Sequence, residues 1–198
     1  SNYNTITSIA ESPMNENLLY IGTDDGMIHV SDNGGESWTK ILVNQLPKCP
    51  ERAYVNDIKA DLFDENTVYI ALDNHKEGDY QPYIYKSTNK GKTWKSIQSN
   101  LAKPILIWRM VQDHKDPKLM FIGTEFGVFF TQNGGEQWTQ LKGALPTISI
   151  RDLTIHRRDE DLVCGSFGRS IYIFDDIEVF RSINEEVLKS EAALLSAG

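Results

Sequence analysis

Ser31-Asp32-Asn33-Gly34-Gly35-Glu36-Ser37-Trp38 returns as Ser87-Thr88-Asn89-Lys90-Gly91-Lys92-Thr93-Trp94 and again as Thr131-Gln132-Asn133-Gly134-Gly135-Glu136-Gln137-Trp138. Ser31, Asn33, Gly35 and Trp38 thus keep one spacing with Ser87, Asn89, Gly91 and Trp94, and with Thr131, Asn133, Gly135 and Trp138. The set suits a hairpin corner. Asn tolerates positive φ and bonds nearby backbone, Gly takes the left-handed position, the hydroxyl holds the far side of the turn, and Trp packs beneath it.

Working outward, a short β-rich run precedes each box and ends in a small residue: Leu19 to Gly22, Val68 to Ala71 and Met120 to Gly123. A fourth run, Leu162 to Gly165, has no box after it. Sixteen positions before the first three small residues, and fifteen before the fourth, Ile6, Val55, Ile107 and Ile150 open further apolar runs. The first unit reads as strands over Ile6 to Glu11, Leu18 to Thr23, Met27 to Ser31 and Trp38 to Leu42, separated by hairpin signals. The pattern predicts an all-β propeller of four four-stranded blades at about 6–54, 55–106, 107–149 and 150–177, together spanning 1–177. No unit holds a ten-residue run at helical spacing, which excludes helical solenoids. The tail, 178–198, carries a capping box at Ser182-Ile183-Asn184-Glu185 and predicts a packing helix over about 183–195.

The three boxes resemble the Asp-box, or BNR, repeat of sialidases, xyloglucanase-type glycosidases and sortilin (Vps10)-like propellers, over about residues 6–177. Two features depart from that pattern: Asn in place of the commoner Asp, and Gln137 in place of Ser or Thr. The resemblance implies that the boxes are structural corners away from the functional face, and that the protein is extracytoplasmic, secreted or periplasmic. It also implies two functions: a module binding protein or glycan ligands, as sortilin-like domains do, or part of a glycoside hydrolase. With four blades and no evident latch strand, the chain is expected to be the C-terminal part of a larger ring. Its flanks would then be covered by the parent's remaining blades or by a second copy.

Composition narrows the partners. Of 198 residues, 40% are hydrophobic, and 28 acidic side chains against 20 basic ones give a net charge of -8. Nucleic acid and anionic membrane are not expected as partners, because both attract clustered cations. No stretch approaches the roughly 18 to 20 apolar residues of a membrane span. Cys49 and Cys164 lack CxxC spacing, the four histidines lie in four different repeats, and no glycine-rich phosphate loop occurs. No metal or cofactor is therefore expected.

If the boxes occupy the turns between third and fourth strands, function belongs to the other face, in the turns between second and third strands and in the links between blades. There the second unit carries about seven extra residues within His75 to Pro82, including His75 and Tyr80. Charged and aromatic residues gather where first strands open, at Asp57, Trp108, Arg109, Arg151 and Asp152, with Glu125 and Arg169 in neighbouring turns. His75, Tyr80, Trp108, Arg109, Glu125, Arg151 and Arg169 are the candidate ligand-binding set. Asp57 and Asp152 are the carboxylates a hydrolase would use, since hydrolysis needs two carboxyl groups about 5 to 10 Å apart. The alternative is that Arg151, Asp152 and Arg169 pair with one another and with channel backbone, since buried charges must be compensated.

Overall fold

The structure is a computed structural model and describes residues 4–102, 104–143 and 146–182. Among the described residues, fifteen strands form four antiparallel sheets in chain order. Blade 1 comprises β1 (Ile6–Ser12), β2 (Asn15–Thr23), β3 (Met27–Ser31) and β4 (Thr39–Leu42). Blade 2 comprises β5 (Tyr54–Ala60), β6 (Val68–Asn74), β7 (Asp79–Ser87) and β8 (Lys95–Ser96). Blade 3 comprises β9 (Ile107–Gln112), β10 (Met120–Thr124), β11 (Gly127–Thr131) and β12 (Thr139–Gln140). Blade 4 has three strands among the described residues, β13 (Ile150–His156), β14 (Asp161–Ser166) and β15 (Ile171–Phe174), followed by helix α1 (Glu178–Ser182). The helix expected at 183–195 lies outside the described residues.

No single core serves the molecule; each pair of neighbouring blades encloses its own apolar layer. Leu18, Tyr20 and Ile28 of blade 1 meet Val55, Ile58 and Ile70 of blade 2. Tyr69, Ala71 and Ile84 on the opposite face of blade 2 meet Ile107, Met110 and Ile122 of blade 3. Phe121, Val128 and Phe130 of blade 3 meet Ile150, Leu153, Leu162 and Cys164 of blade 4. This explains why the run Val68 to Leu72 is apolar throughout: β6 is covered on both faces, so both sets of alternating side chains are buried. Strand β15 has one covered face, and its burial alternates.

Glycine near the end of β2 and of β10 is a steric requirement. A Cβ on Gly22 would lie 2.2 Å from Val55 Cγ1, and one on Gly123 would lie 2.8 Å from the Ile150 carbonyl oxygen. The first strand of each following blade therefore lies directly on its predecessor's second strand.

The boxes fold as the sequence suggests, between β3 and β4, β7 and β8, and β11 and β12. Ser31 Oγ receives the Gly35 N–H at 2.8 Å and donates to Asn33 Oδ1 at 2.9 Å, while Asn33 Oδ1 also receives the Ser37 N–H at 3.0 Å. The second and third boxes repeat these bonds through Ser87 with Asn89 and through Thr131 with Asn133. Asn has a specific use here: its amide donates to Ser37 Oγ in the first box and to Thr93 Oγ1 in the second. Gln137 offers no hydroxyl at that point.

The tryptophans share a position in their boxes but not an environment. The second and third boxes lean on the preceding blade. Trp138 is buried and donates from Nε1 to the Ile97 carbonyl of blade 2 at 2.8 Å, and Trp94 packs against the layer between blades 1 and 2. Trp38 has no preceding blade among the described residues; it bonds to Gly35 of its own box and remains 38% exposed.

Helix α1 is held by charge and aromatic packing. Arg181 forks onto the fully buried Asp113 carboxylate with two bonds of 2.7 Å and also reaches Glu160, while Phe180 meets Phe121 and Phe130 edge-on. Burial pushes Asp113 and Glu160 upward. The bonds and charge of Arg181 outweigh it, assisted at Asp113 by the Asp116 N–H, at Glu160 by Lys115, and at both by His114, so both carboxyls sit below their ordinary range.

Two outcomes follow. Gly123→Ala should lower stability by about 1 to 3 kcal/mol in urea titrations, because the added methyl meets backbone rather than a movable side chain; an unchanged midpoint would contradict the close approach. Arg181→Ala should cost on the order of 3 kcal/mol by leaving Asp113 buried without its cation. Since both carboxyls are depressed in the folded state, their contribution is complete above the unfolded carboxylate range near 4 and is lost as pH falls through the folded values. Thermal melts from pH 6 to 2 should show a steeper acid loss in the parent chain than in Arg181→Ala.

Candidate functional site

The site begins with a bulge repeated in every inner strand. Pairing skips one residue between Ile6 and Ser8, Val55 and Asp57, Ile107 and Arg109, and Ile150 and Asp152. A bulge leaves the extra residue unpaired and re-aims its side chain. The four skipped residues are Thr7, Asn56, Trp108 and Arg151, and all four line one cavity of about 400 Å³ at the channel mouth. Two of them also tie blades together: Thr7 Oγ1 donates to the Val55 carbonyl at 2.6 Å, and Asn56 Nδ2 to the Ile107 carbonyl at 2.7 Å.

The extra residues of blade 2 complete the mouth. They lengthen the β6–β7 hairpin and turn it through a short 3-10 segment, His75–Glu77, closed by left-handed Gly78. His75 is oriented from below, its Nδ1 bonded to the buried Asp73 carboxylate, and its ring meets Trp108 edge-on with centroids 5.9 Å apart. Lys76 places its ammonium 5.0 Å from the centre of the Tyr54 ring. The Tyr80 carbonyl accepts the Ile105 N–H at 3.1 Å, fixing the loop to the link that enters blade 3.

Blades 3 and 4 supply a cation held between aromatic rings. The Arg151 guanidinium lies 3.6 Å from the centre of the Trp108 ring and 5.3 Å from that of Phe167. Glu125 organises this pair: its Oε2 accepts Trp108 Nε1 at 3.0 Å and Ser149 Oγ at 3.1 Å, and lies 3.6 Å from Arg151 Nη2. Ser149 Oγ in turn accepts Arg151 Nε at 2.9 Å. Beside it a second cavity, of about 480 Å³, is lined chiefly by Tyr80, Pro104, Leu106, Trp108 and Phe126. His75, Trp108 and Arg151 form the wall shared by both cavities. The result is an apolar recess against a polar one that carries Lys76, Arg109 and Arg151.

Asp57 and Asp152 occupy equivalent positions in blades 2 and 4 but unlike surroundings. Asp57 is 2% exposed; its Oδ2 accepts the Met110 N–H of blade 3 at 2.9 Å, and its Oδ1 lies 3.4 Å from Ser8 Oγ of blade 1. Burial pushes its carboxyl above the ordinary range despite Lys59, the Met110 N–H and Arg109. The Asp152 side chain is largely exposed, with Oδ1 3.7 Å from Arg109 Nε and 3.0 Å from the Leu153 N–H. Arg109 stands between them and also donates to the Asn56 carbonyl. Ser8, Asp57, Arg109 and Asp152 therefore follow one another as a ladder along the inner strands, and the expected pairing of Arg151, Asp152 and Arg169 with one another is replaced by Arg109 with Asp152 and Arg151 with Glu125.

Of the candidate binding residues, the structure brings together His75, Tyr80, Trp108, Arg109, Glu125 and Arg151. Arg169 sits exposed in the β14–β15 turn and lines neither cavity. The sequence candidates did not include Thr7, Lys76, Leu106 or Phe126. Lys76 and Phe126 lie in turns already assigned to the functional face; Thr7 carries no signal without knowledge of the bulge. Cys49 and Cys164 are free, and burial pushes both thiols up to about 12, which favours the protonated form at neutral pH.

No protein-family model and no curated protein matches the chain. Solved structures do. The chain is similar to a GH74 enzyme from Niastella koreensis, at TM-score 0.64 and 16% identity over 85% of this chain and 28% of the other. It is similar to YCF48 bound to D1 peptide, at TM-score 0.63 and 16% identity over 86% and 51%, and to the extracellular domain of BT4673 from B. thetaiotaomicron, at TM-score 0.64 and 15% identity over 90% and 22%. The chain spans between about a fifth and a half of these neighbours. Likeness at such identity shows the β-propeller fold.

If Glu125 holds the shared wall, Glu125→Ala should free the Trp108 indole. A red shift and stronger acrylamide quenching of tryptophan emission, without loss of the β-sheet circular dichroism, is the expected result.

Proposed function

We propose that this chain is a non-catalytic propeller module of the Asp-box type that binds protein or glycan ligands, and that a peptide is the ligand the cleft suits best. The carrying observation is the wall of His75, Trp108 and Arg151, with an apolar recess on one side and Lys76 and Arg109 on the other. An apolar side chain fits the first and a carboxylate the second. The Trp108 face is already covered by the Arg151 guanidinium, so it offers no open platform for stacking a sugar ring. A solved neighbour of the same fold, YCF48, carries a bound peptide, which supports the reading by analogy. Another neighbour is an extracellular domain, which agrees with the extracytoplasmic placement proposed here.

Part of a glycoside hydrolase is the competing reading, favoured by the GH74 neighbours and by the exposed Asp152. It requires Asp57 to act on substrate, yet that carboxylate is buried and bonded to neighbouring blades.

The test uses the chain on arrays of short peptides and of neutral and carboxylated oligosaccharides. Peptides that place an acidic residue beside an apolar one should be captured. Trp108→Ala and Arg109→Ala should each weaken binding about tenfold, equivalent to about 1.4 kcal/mol, and Asn33→Ala in the first box should not. Capture of glycans alone would overturn the peptide assignment. Turnover of β-glucan oligosaccharides or aryl sialosides, abolished by Asp152→Asn in a folded chain, would replace the proposal with the hydrolase reading.

A further inference from the structure

The contact that seats helix α1 on blade 3 has a counterpart on blade 2 that stands open. Backbone bonds fix the equivalence. The Asp61 N–H donates to the Thr67 carbonyl as the Asp113 N–H does to that of Leu119, and the Gly134 N–H donates to the Lys118 carbonyl as the Ile177 N–H does to that of Glu160. Tyr69 pairs across strands with Lys86 as Phe121 does with Phe130. Asp61, Tyr69, Lys86 and Lys118, where blade 2 meets blade 3, thus correspond to Asp113, Phe121, Phe130 and Glu160, where blade 3 meets blade 4. In the latter place two consecutive residues of α1 cover the wall. Phe180 meets Phe121 and Phe130 with ring centroids 5.3 and 4.9 Å apart, and Arg181 pairs with Asp113 and Glu160. In the former, the corresponding four residues line an open cavity of about 450 Å³ beside the third box.

The charge of the open wall is reversed. Lys86 stands in place of Phe130 and Lys118 in place of Glu160, with Lys95 at the rim. Two carboxylates of the cavity are already engaged by blade 2 and its neighbour. Asp61 Oδ2 accepts the Tyr69 hydroxyl at 2.8 Å and the Gln112 amide at 2.9 Å, and its Oδ1 accepts the Phe63 and Asp64 N–H groups. Asp64 accepts the Thr67 hydroxyl and the Asn66 N–H. Glu136 is an exposed carboxylate on the box side. Among the described residues Lys86, Lys95 and Lys118 form no salt bridge, whereas Lys90 and Lys115 on the same face pair with Glu65 and Glu160. Aromatic surface lies beside the cations: the Lys86 ammonium is 5.5 Å from the centre of the Tyr69 ring, and Phe63 is 39% exposed.

We propose that this cleft is a second binding site, on the face opposite the channel mouth, for a segment of a partner protein that presents an aromatic side chain next to an acidic one. The occupant mirrors Phe180 and Arg181 with the charge inverted. Its ring lies against Phe63 and the stem of Lys86, and its carboxylate meets Lys118, with Lys86 and Lys95 close by. Blades 2 and 3, which form the walls, are each packed on a further blade, so the cleft is held open by interior packing. The site is independent of what the mouth binds.

The test titrates the ¹⁵N-labelled chain with peptides of one neutral frame that carry Phe-Glu, Phe-Lys or Ala-Glu. Phe-Glu should shift the amides of Thr67, Lys118 and Gly134, with an affinity about tenfold above that of either other peptide and falling as salt is added. Shifts at Lys76 and Arg109 report the channel mouth separately, so failure at one site is read apart from failure at the other. Lys118 is exposed, and its variants should keep the circular dichroism of the parent chain. Lys118→Glu should turn the preference to Phe-Lys, reproducing the pairing of Arg181 with Glu160, and Lys118→Arg should retain Phe-Glu. Absence of box-face shifts up to millimolar peptide, equal affinity there for Phe-Glu and either other peptide, or a preference that Lys118→Glu leaves unchanged would each overturn the proposal.

Discussion

The close approach of consecutive inner strands governs the rest of the molecule. Gly22 and Gly123 have no side chain because Val55 and Ile150 stand where it would be. Each first strand is thereby locked on the second strand of its predecessor. That contact positions the apolar layers between blades, lets Thr7 and Asn56 reach the next blade's opening carbonyl, and lines up Ser8, Asp57, Arg109 and Asp152 into one ladder. Because stability resides in these repeated interfaces rather than in one central core, blades 2 and 3 are buried on both faces, whereas blades 1 and 4 each keep one face in water.

The same geometry separates structural charge from available charge. Asp57 and Asp152 are equivalent in the repeat, and a blade on the far side makes one a buried acceptor while the other faces solvent. Arg109 compensates the first and pairs with the second. Arg151 belongs elsewhere: its guanidinium is held near the Trp108 and Phe167 rings by Glu125 and Ser149, and it lines both the apolar and the cationic recess of the mouth. A protein of net charge -8 thus presents a cluster of cations at its channel mouth. Two of them are held in place by carboxylates, Arg109 by Asp152 and Arg151 by Glu125.

The blade 2 insertion shows how a rigid repeat acquires a site. Its residues lengthen one hairpin, and the buried Asp73 at the end of β6 fixes the orientation of His75 above the channel. A contact from Tyr80 to the link before blade 3 anchors the loop at its far side. The scaffold supplies the close strands, and a single irregular hairpin supplies the asymmetry that makes one channel mouth distinctive.

The sequence by itself determined the repeat, the strand order within each blade, the box corners and the face on which a site could lie. Those features rest on local rules, alternation along strands and turn chemistry, which act within a few residues. It also named most of the mouth, His75, Tyr80, Trp108, Arg109, Glu125 and Arg151, because unusual residues at strand openings and an insertion are visible in one dimension. What only the tertiary structure decided is where those side chains point. A bulge in each inner strand turns Thr7, Asn56, Trp108 and Arg151 toward the channel, and there Thr7 and Asn56 bond to carbonyls of the next blade, some fifty positions away in the chain. For the same reason equivalent tryptophans ended in unlike surroundings, and Arg169 fell outside the cavities: sequence equivalence fixes a residue's place in its blade, while the neighbouring blade fixes its environment.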